Sequence, residues 1–336
     1  MLDIRRIRED PDELRTALKG RGQDAAVVDE ILGIDAKWRA LKVSVDEKRA
    51  EKNKVTHAIA QLKKEKKGAD AQIIEMQGLN LELKSLEDKC ADEEARLREI
   101  MLAVPNIPHA SVPVGAGEEA NPLVREWGAP PKFGFKPKEH WELAPALGMM
   151  DFERGVKLAG HRFTLLTGDG AKLERALVNL FLDTHAKSGY TEVFPPLLVN
   201  EKAALGTGNL PKFADQLYHC PADGLYLIPT AEVPVTNIYM EEILQRGMLP
   251  MRFCAYTPCF RREAGEYQRD IKGYLRQHQF NKVELVHICE PKDSYAELEM
   301  LTKCAEGVLQ LLKLPYTITE LCTGDIGFAS AKTYDI

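Results

Sequence analysis

Two heptad seams, one after the other, constrain this chain more than any other feature. Ile31, Trp38, Val45 and Ile59 fall on a seven-residue repeat. Ile34, Leu41, Val55 and Leu62 fall on another, offset by three, with Lys52 and Lys48 as interruptions. Past the turn signal Lys66-Lys-Gly68-Ala-Asp70 the repeat resumes at Met76, Leu83, Cys90 and Leu97, with Leu79, Leu86 and Ile100 offset by three and Glu93 interrupting. Such a repeat puts an apolar stripe on one face of a helix, and two successive striped helices bury their stripes against each other. The pattern predicts an antiparallel coiled-coil hairpin over about residues 28–102. Each helix is roughly 35 residues, on the order of 50 Å at the α-helical rise. Two helices bury little alone, so a body must anchor the base. Ahead of the arm, residues 4–19 predict one short helix with Asp10-Pro-Asp-Glu as a start signal.

Charge along the arm is uneven. Residues 28–67 hold 11 Lys+Arg against 7 Asp+Glu, and residues 70–102 hold 4 against 9. Lys63, Lys64, Lys66 and Lys67 make the tip basic. Two readings fit. The basic helix pairs with the acidic one on a solvated surface, or the basic face meets nucleic-acid phosphates. The whole chain carries a net charge of −6, which excludes general polyanion binding and confines any nucleic-acid contact to local surface.

A length of 336 residues is about two domains, and 44% hydrophobic content can fill their cores. The Pro- and Gly-rich run Val104 to Gly117 stops the coiled coil and predicts a boundary, with domains at 1–103 and 104–336. The tract through Trp127-Gly-Ala-Pro-Pro-Lys-Phe is again turn-rich. No secretory h-region and no run of 18 apolar residues occurs, so no membrane partner is expected. The 7 cysteines are scattered without a Cys-x-x-Cys pair, which fits reduced thiols, a cytoplasmic location and no metal site.

In the second domain, residues 161–167 read as a strand, Gly168-Asp-Gly as a turn, and Ala171 to Ser188 as a helix. Leu173, Leu177, Leu180, Phe181 and Thr184 lie on one side of that helix. Residues 189–199 read as a strand through Pro195-Pro196. Gly206-Thr-Gly208 lacks the lysine pattern of a P-loop. Leu225 to Thr230 runs from strand into helix. There Thr230 and Glu232 suit either an ammonium group with a small polar substituent or an ordinary helix N-terminus. Residues 295–312 predict a helix and 316–321 a strand, followed by a strand-like run to Ile336.

Met251 to Tyr256 and Lys282 to Ile288 predict two strands of a hairpin joined by a long polar loop. Arg261, Arg262 and Arg276 place cations at its feet. Strand parity would put Arg261 with Glu263, and Arg276 with Phe280, on common faces. A phosphate clamp, a carboxylate acceptor and an aromatic plate suit a nucleoside triphosphate. A salt-bridged hairpin with a buried Phe is the plainer alternative.

These residues carry a resemblance. Phe260-Arg-Arg-Glu263 followed by Arg276-x-His-Gln-Phe280-x-x-x-Glu284 resembles motif 2 of class II aminoacyl-tRNA synthetases, and His278-Gln279-Phe280 with Glu284 is similar to the seryl-tRNA synthetase family. Pro105-Asn-Ile-Pro-His109, His140-Trp-Glu-Leu and Asp151-Phe-Glu-Arg154 resemble that family's domain junction. The helix 171–188 and the strand ending at Pro196 resemble motif 1, the class's homodimer interface. The resemblance implies an α+β fold, with the two-helix arm joined to an antiparallel sheet flanked by helices. It implies a serine--tRNA ligase that activates L-serine with ATP and Mg²⁺ to seryl-adenylate and loads tRNA(Ser), with tRNA(Sec) also a family substrate, held by the N-terminal arm. Thr230, Ala231 and Glu232 would bind serine, and Glu284 its amine or hydroxyl. Arg261 would hold the α-phosphate and serine carboxylate together, and Glu263 would accept from the adenine amino group; these two are the catalytic pair. Arg262, Arg276, Gln277 and Phe280 complete the ATP site, with Arg276 on the γ-phosphate and Phe280 stacked on adenine.

Departures from the family's pattern fall at Glu266, Gln268 and Ile271 in the loop, at Gln277 where an apolar residue is usual, and at Asn281 in place of Asp. The family's Glu-Ile-Ser-Ser segment and motif 3 have no counterpart here. The expectation is therefore a C-terminally incomplete catalytic domain with reduced or no activity. Two alternatives stand beside it. One is a non-catalytic tRNA-binding or coiled-coil interaction protein derived from a synthetase. The other is a ligase charging a carrier protein, which would not need the arm.

Overall fold

The computed structural model describes residues 2–264 and 273–336. It divides into two compact units. The first runs to Asn121 and includes Leu321–Thr333, and the second comprises Pro122–Glu320 with Tyr334–Ile336.

The first unit is helical. Helix α1 (Ile4–Glu9) and helix α2 (Pro11–Gly20) replace the single helix expected over 4–19. Asp10 separates them because its side chain accepts the Glu13 N–H (3.1 Å) and Pro11, which has no N–H to give, opens the next helix. The arm is α3 (Val27–Lys64) and α4 (Asp70–Leu102), joined by a turn in which Lys66 takes a positive φ of 51°. The predicted stripe is the buried face: Ile31, Ile34, Val45 and Val55 on α3, and Leu79, Leu83 and Leu97 on α4. The base is anchored where Ile7, Leu14 and Leu18 pack with Val28, Ile31, Leu97 and Met101. Asp35, fully buried there, is held by Arg39 (2.9 Å) and Arg8 (3.2 Å), as an ionised group in an apolar setting requires. The later segment of this unit is tied in by backbone bonds, from Thr323 N–H to Pro113 C=O and from Asn106 N–H to Phe328 C=O, both 2.9 Å. It is not the strand expected of the C-terminal run.

The second unit mixes helices and short sheets. In chain order it contains β1 (Leu123–Trp127), α5 (His140–Ala146), β2 (Met150–Asp151), α6 (Phe152–Ala159), β3 (Leu165–Leu166), α7 (Gly168–Lys187), β4 (Thr191–Glu192), β5 (Leu198–Asn200), α8 (Glu201–Gly206), β6 (His219–Cys220), β7 (Leu225–Leu227), α9 (Glu232–Thr236), β8 (Met251–Phe260), β9 (Gln279–Ile288), α10 (Ser294–Leu311), β10 (Tyr316–Glu320) and β11 (Tyr334–Asp335). The strands form sheets in the orders β1-β10-β11, β2-β3, β4-β8-β9 and β5-β7-β6, every pairing antiparallel except β4 with β8. The α+β class holds.

Several expectations change here. Strand β1 lies in the tract read as turns. The strand expected over 161–167 shrinks to two residues, and Gly168 opens α7 rather than a turn. A Cβ at Gly170 would strike the Met149 carbonyl, so glycine lets the first turn of α7 sit against that segment. The strand expected over 189–199 is cut in two around Pro195 and Pro196, which cannot donate to a ladder. The hairpin is the longest regular pairing, running unbroken from Met251↔Ile288 to Phe260↔Gln279. Its residues Phe253 and Ala255 pack with Ala231 and Val235.

Candidate active site

The hairpin places several of the candidate residues on one face of β9. On β9, Phe280, Lys282 and Glu284 alternate with their neighbours and so share a face. Glu284 Oε2 accepts the Thr230 hydroxyl at 2.7 Å and lies 2.7 Å from Lys282 Nζ. Thr230 sits in the short connection from β7 into α9, 5% exposed, and its Oγ1 in turn accepts the Glu232 backbone N–H at 3.2 Å. Ala231, fully buried, is the N-cap residue of α9. Two carboxylates, Glu232 and Glu284, therefore stand near each other with one hydroxyl fixed between their segments.

Glu232, the first residue of α9, is exposed, while neighbouring protein crowds its carboxyl. That desolvation, with the Glu284 charge adding to it, raises its pKa, while Lys282 and Arg261 pull the other way. A crowded pair of acids is relieved by a cation, and an α-ammonium supplies one.

Arg261 lies just past the end of β8. Its backbone N–H donates to the His278 carbonyl (3.0 Å), its carbonyl meets His278 Nδ1 (2.9 Å), and its Nε donates to the Pro229 carbonyl (3.2 Å). The guanidinium is thereby laid over Phe280, 5.1 Å from Cζ to ring centroid. Arg262 lies beside Tyr218, and its N–H donates to the Gln216 carbonyl (2.9 Å). Gln216 also closes a two-bond clamp on the Ala264 backbone. Glu263, at a positive φ of 47°, is bridged to Arg276 at 3.3 Å.

Strand parity does not set these positions, because Arg261, Glu263 and Arg276 all lie beyond the strand ends. Backbone clamps set them instead. The exit of the loop is fastened similarly. His140 Nε2, at the start of α5, accepts the Tyr274 N–H at 2.8 Å, and a Cβ at Gly273 would collide with His140 and Trp141. Gln277 is 5% exposed, with Oε1 accepting the Thr164 hydroxyl (2.7 Å) and Nε2 donating to the Gly273 and Arg276 carbonyls. Those bonds hold its side chain at the foot of the loop. Asn281 donates to Glu174 (2.8 Å) and accepts from the Tyr256 hydroxyl (3.1 Å), so that departure serves packing too. Glu266, Gln268 and Ile271 lie outside the described residues.

Among the predicted residues, Thr230, Ala231, Glu232 and Glu284 come together about the middle of β9, and Arg261 with Phe280 adjoins them. Arg276 and Glu263 form their own pair. Sequence reasoning passed over Lys282, although the i, i+2 spacing from Phe280 and to Glu284 placed it on the same face.

A family profile described as "Seryl-tRNA synthetase N-terminal domain" matches residues 1–108, and another, "tRNA synthetase class II core domain (G, H, P, S and T)", matches residues 218–336. The chain is 53% identical to a serine--tRNA ligase of Methanosarcina barkeri over 336 residues, covering all of this chain and 79% of that protein. The chain belongs to the seryl-tRNA synthetase family. A serine--tRNA ligase of Carboxydothermus hydrogenoformans is 52% identical, again with all of this chain and 79% of the relative covered. The crystal structure of seryl-tRNA synthetase from Pyrococcus horikoshii complexed with ATP superposes with a TM-score of 0.89 at 34% identity, covering 100% of this chain and 80% of that one. As a member of this family the chain is an aminoacyl-tRNA synthetase of class II.

Proposed function

We propose that this seryl-tRNA synthetase binds L-serine at Thr230, Ala231, Glu232 and Glu284, binds ATP along Arg261, Arg262, Glu263, Arg276 and Phe280, and joins them as seryl-adenylate. The observation that carries the reading is the Thr230–Glu284 hydrogen bond at 2.7 Å beside Arg261. It places a hydroxyl and a carboxylate for a small polar substituent next to a cation for the carboxylate. A serine hydroxyl would donate to the Glu284 carboxylate beside Thr230, a hydrogen bond that alanine cannot make.

In the reaction a serine carboxylate oxygen attacks the α-phosphorus. A new O–P bond forms, the bond to the bridging oxygen breaks, and pyrophosphate leaves with the electron pair. No proton needs to move. Arg261 neutralises the carboxylate and the crowded phosphorus, and its backbone clamps fix the guanidinium before the substrates arrive. Phe280, already under a cation, offers a face to adenine, and Glu263 an acceptor to the adenine amino group. Among the described residues no group of three or more His, Cys, Asp or Glu stands ready to hold a metal. Mg²⁺ would come in on the triphosphate, where it would offset phosphate charge.

The seryl group then passes to a terminal ribose hydroxyl of tRNA(Ser), or of tRNA(Sec). The N-terminal domain, residues 1–103, would hold that tRNA through its arm. Arg49–Glu87 (2.7 Å), Lys48–Glu82 (2.9 Å) and Arg96–Glu30 (3.0 Å) pair α3 with α4, so part of the charge is spent within the arm. Lys63, Lys64 and Lys66 at the tip are exposed. A homodimer through the motif 1 region is supported by apolar exposure on Leu173, Leu180 and Phe194. Among the described residues no helix is long and apolar enough to cross a membrane, and a cytoplasmic location belongs to the same proposal.

Serine-dependent ATP–pyrophosphate exchange tests the reading. Exchange that requires serine and falls about a hundredfold or more in Arg261→Ala supports it. Exchange that proceeds equally with alanine contradicts it, and tRNA binding without any exchange, both in this chain and in a chain extended to the relatives' full length, moves the reading to a non-catalytic tRNA-binding protein.

A further inference from the structure

Residues 128–139 are all exposed, and their make-up is not that of an ordinary solvated loop. Lys132, Lys136 and Lys138 are interleaved with Phe133 and Phe135, which are 54% and 68% exposed. The two rings stand side by side, centroids 5.4 Å apart and planes at 49°. Large apolar side chains bared as a pair mark a surface that something covers. No acidic residue occurs between Gly128 and Lys138. Pro130, Pro131 and Pro137 restrict the backbone, so little ordering is left for a partner to impose.

The segment also ends beside the site. Lys138 precedes His140 by two residues, and His140 accepts the Tyr274 N–H at the exit of the hairpin loop. Two residues span at most about 7 Å, and the five from Phe135 to His140 at most about 18 Å.

We propose that residues 132–138 are a landing surface for a single-stranded nucleic-acid end, the 3′ end that brings the acceptor ribose to the site. Paired aromatic rings for base stacking among lysines for phosphate are the chemistry that holds single strands without reading sequence. A protein partner fits less well, because lysine is depleted in the cores of protein interfaces. The proposal rests on the tRNA-charging reading and deepens it.

The test compares two RNA hairpins by fluorescence anisotropy on the full chain, one with four unpaired 3′ nucleotides and one blunt. The variants are Phe133→Ala with Phe135→Ala, and Lys132→Ala with Lys136→Ala and Lys138→Ala. All five side chains are exposed, so the unfolding midpoint should stay put and report intact folding. The overhang hairpin should bind more tightly than the blunt one, and either variant should remove about tenfold of that preference. The lysine variant should also flatten the salt dependence by about 0.7 in log–log slope for each phosphate it no longer neutralises. Equal binding of both hairpins, or an unchanged preference in both variants, overturns the proposal. So does a phenylalanine variant that changes only the oligomer mass, which would make the patch an interface between copies. Full-length tRNA(Ser) with a Lys63, Lys64 and Lys66→Ala variant runs in parallel. Arm-dependent tRNA binding without the overhang preference sinks only this surface, whereas no tRNA binding at all sinks the charging reading with it.

Discussion

Thr230 Oγ1 lies 2.7 Å from Glu284 Oε2, and that same carboxylate oxygen lies 2.7 Å from Lys282 Nζ. One oxygen thus joins a hydroxyl from the β7–α9 connection to a cation on β9. Thr230→Val keeps the shape and removes the hydroxyl. A hydrogen bond to a charged group contributes about 1.5–3 kcal/mol, so the KM for serine should rise roughly tenfold or more, with KM for ATP little changed. Thr230→Ser should restore most of the loss. Steady-state kinetics on the three proteins checks this.

Arg261 over Phe280 at 5.1 Å makes the plate for adenine depend on the cation above it. Phe280→Leu should weaken ATP binding by about 0.5–2 kcal/mol, the range of a cation–π interaction, and leave serine affinity close to wild type. Calorimetric titration with ATP measures it.

Glu232 is held at a raised pKa, first by desolvation and then by Glu284. A folded-state pKa above the unfolded value means the folded protein takes the proton more readily. Stability is then greatest below the unfolded value and falls as pH rises through the folded one. Glu232→Gln removes that loss. The variant should unfold at a higher temperature than wild type at neutral pH and match it in acid, while binding serine more weakly. Thermal unfolding followed across acid to neutral pH gives the answer; a variant no more stable than wild type at neutral pH would refute it.

Gln277 Oε1 accepts the Thr164 hydroxyl while its amide holds two loop carbonyls. Gln277→Leu leaves those buried groups without partners, at a cost of about 1–3 kcal/mol per group. The unfolding midpoint should drop, and KM for ATP should rise because Arg276 loses its fixed backbone. Denaturant unfolding beside kinetics separates the two effects.

The arm and the hairpin were legible because each is a long periodic signal: a seven-residue stripe in one case, two β-rich runs flanking a polar loop in the other. β1 was not, because both its faces are largely exposed and its tract is full of proline and glycine, so no alternation marks it. The break at Asp10 was visible as a cap but was read as a start within one helix. Within the site, Thr230, Glu232, Glu284, Arg261 and Phe280 could be named from residue types and resemblance. Their arrangement could not, because Arg261, Glu263 and Arg276 sit past the strand ends, where long-range clamps from Pro229, His278 and Gln216 decide direction. Gln277 read as a ligand position, whereas its neighbours Thr164 and Gly273 claim its side chain.

The most direct test of the account is the affinity ratio of two non-hydrolysable adenylate analogues, one carrying serine and one alanine, measured by calorimetry on this chain and on Thr230→Val. The Thr230–Glu284 socket predicts strong preference for the seryl analogue, by about a hundredfold or more, collapsing in the variant. Equal affinity for both analogues in the unaltered protein would contradict it.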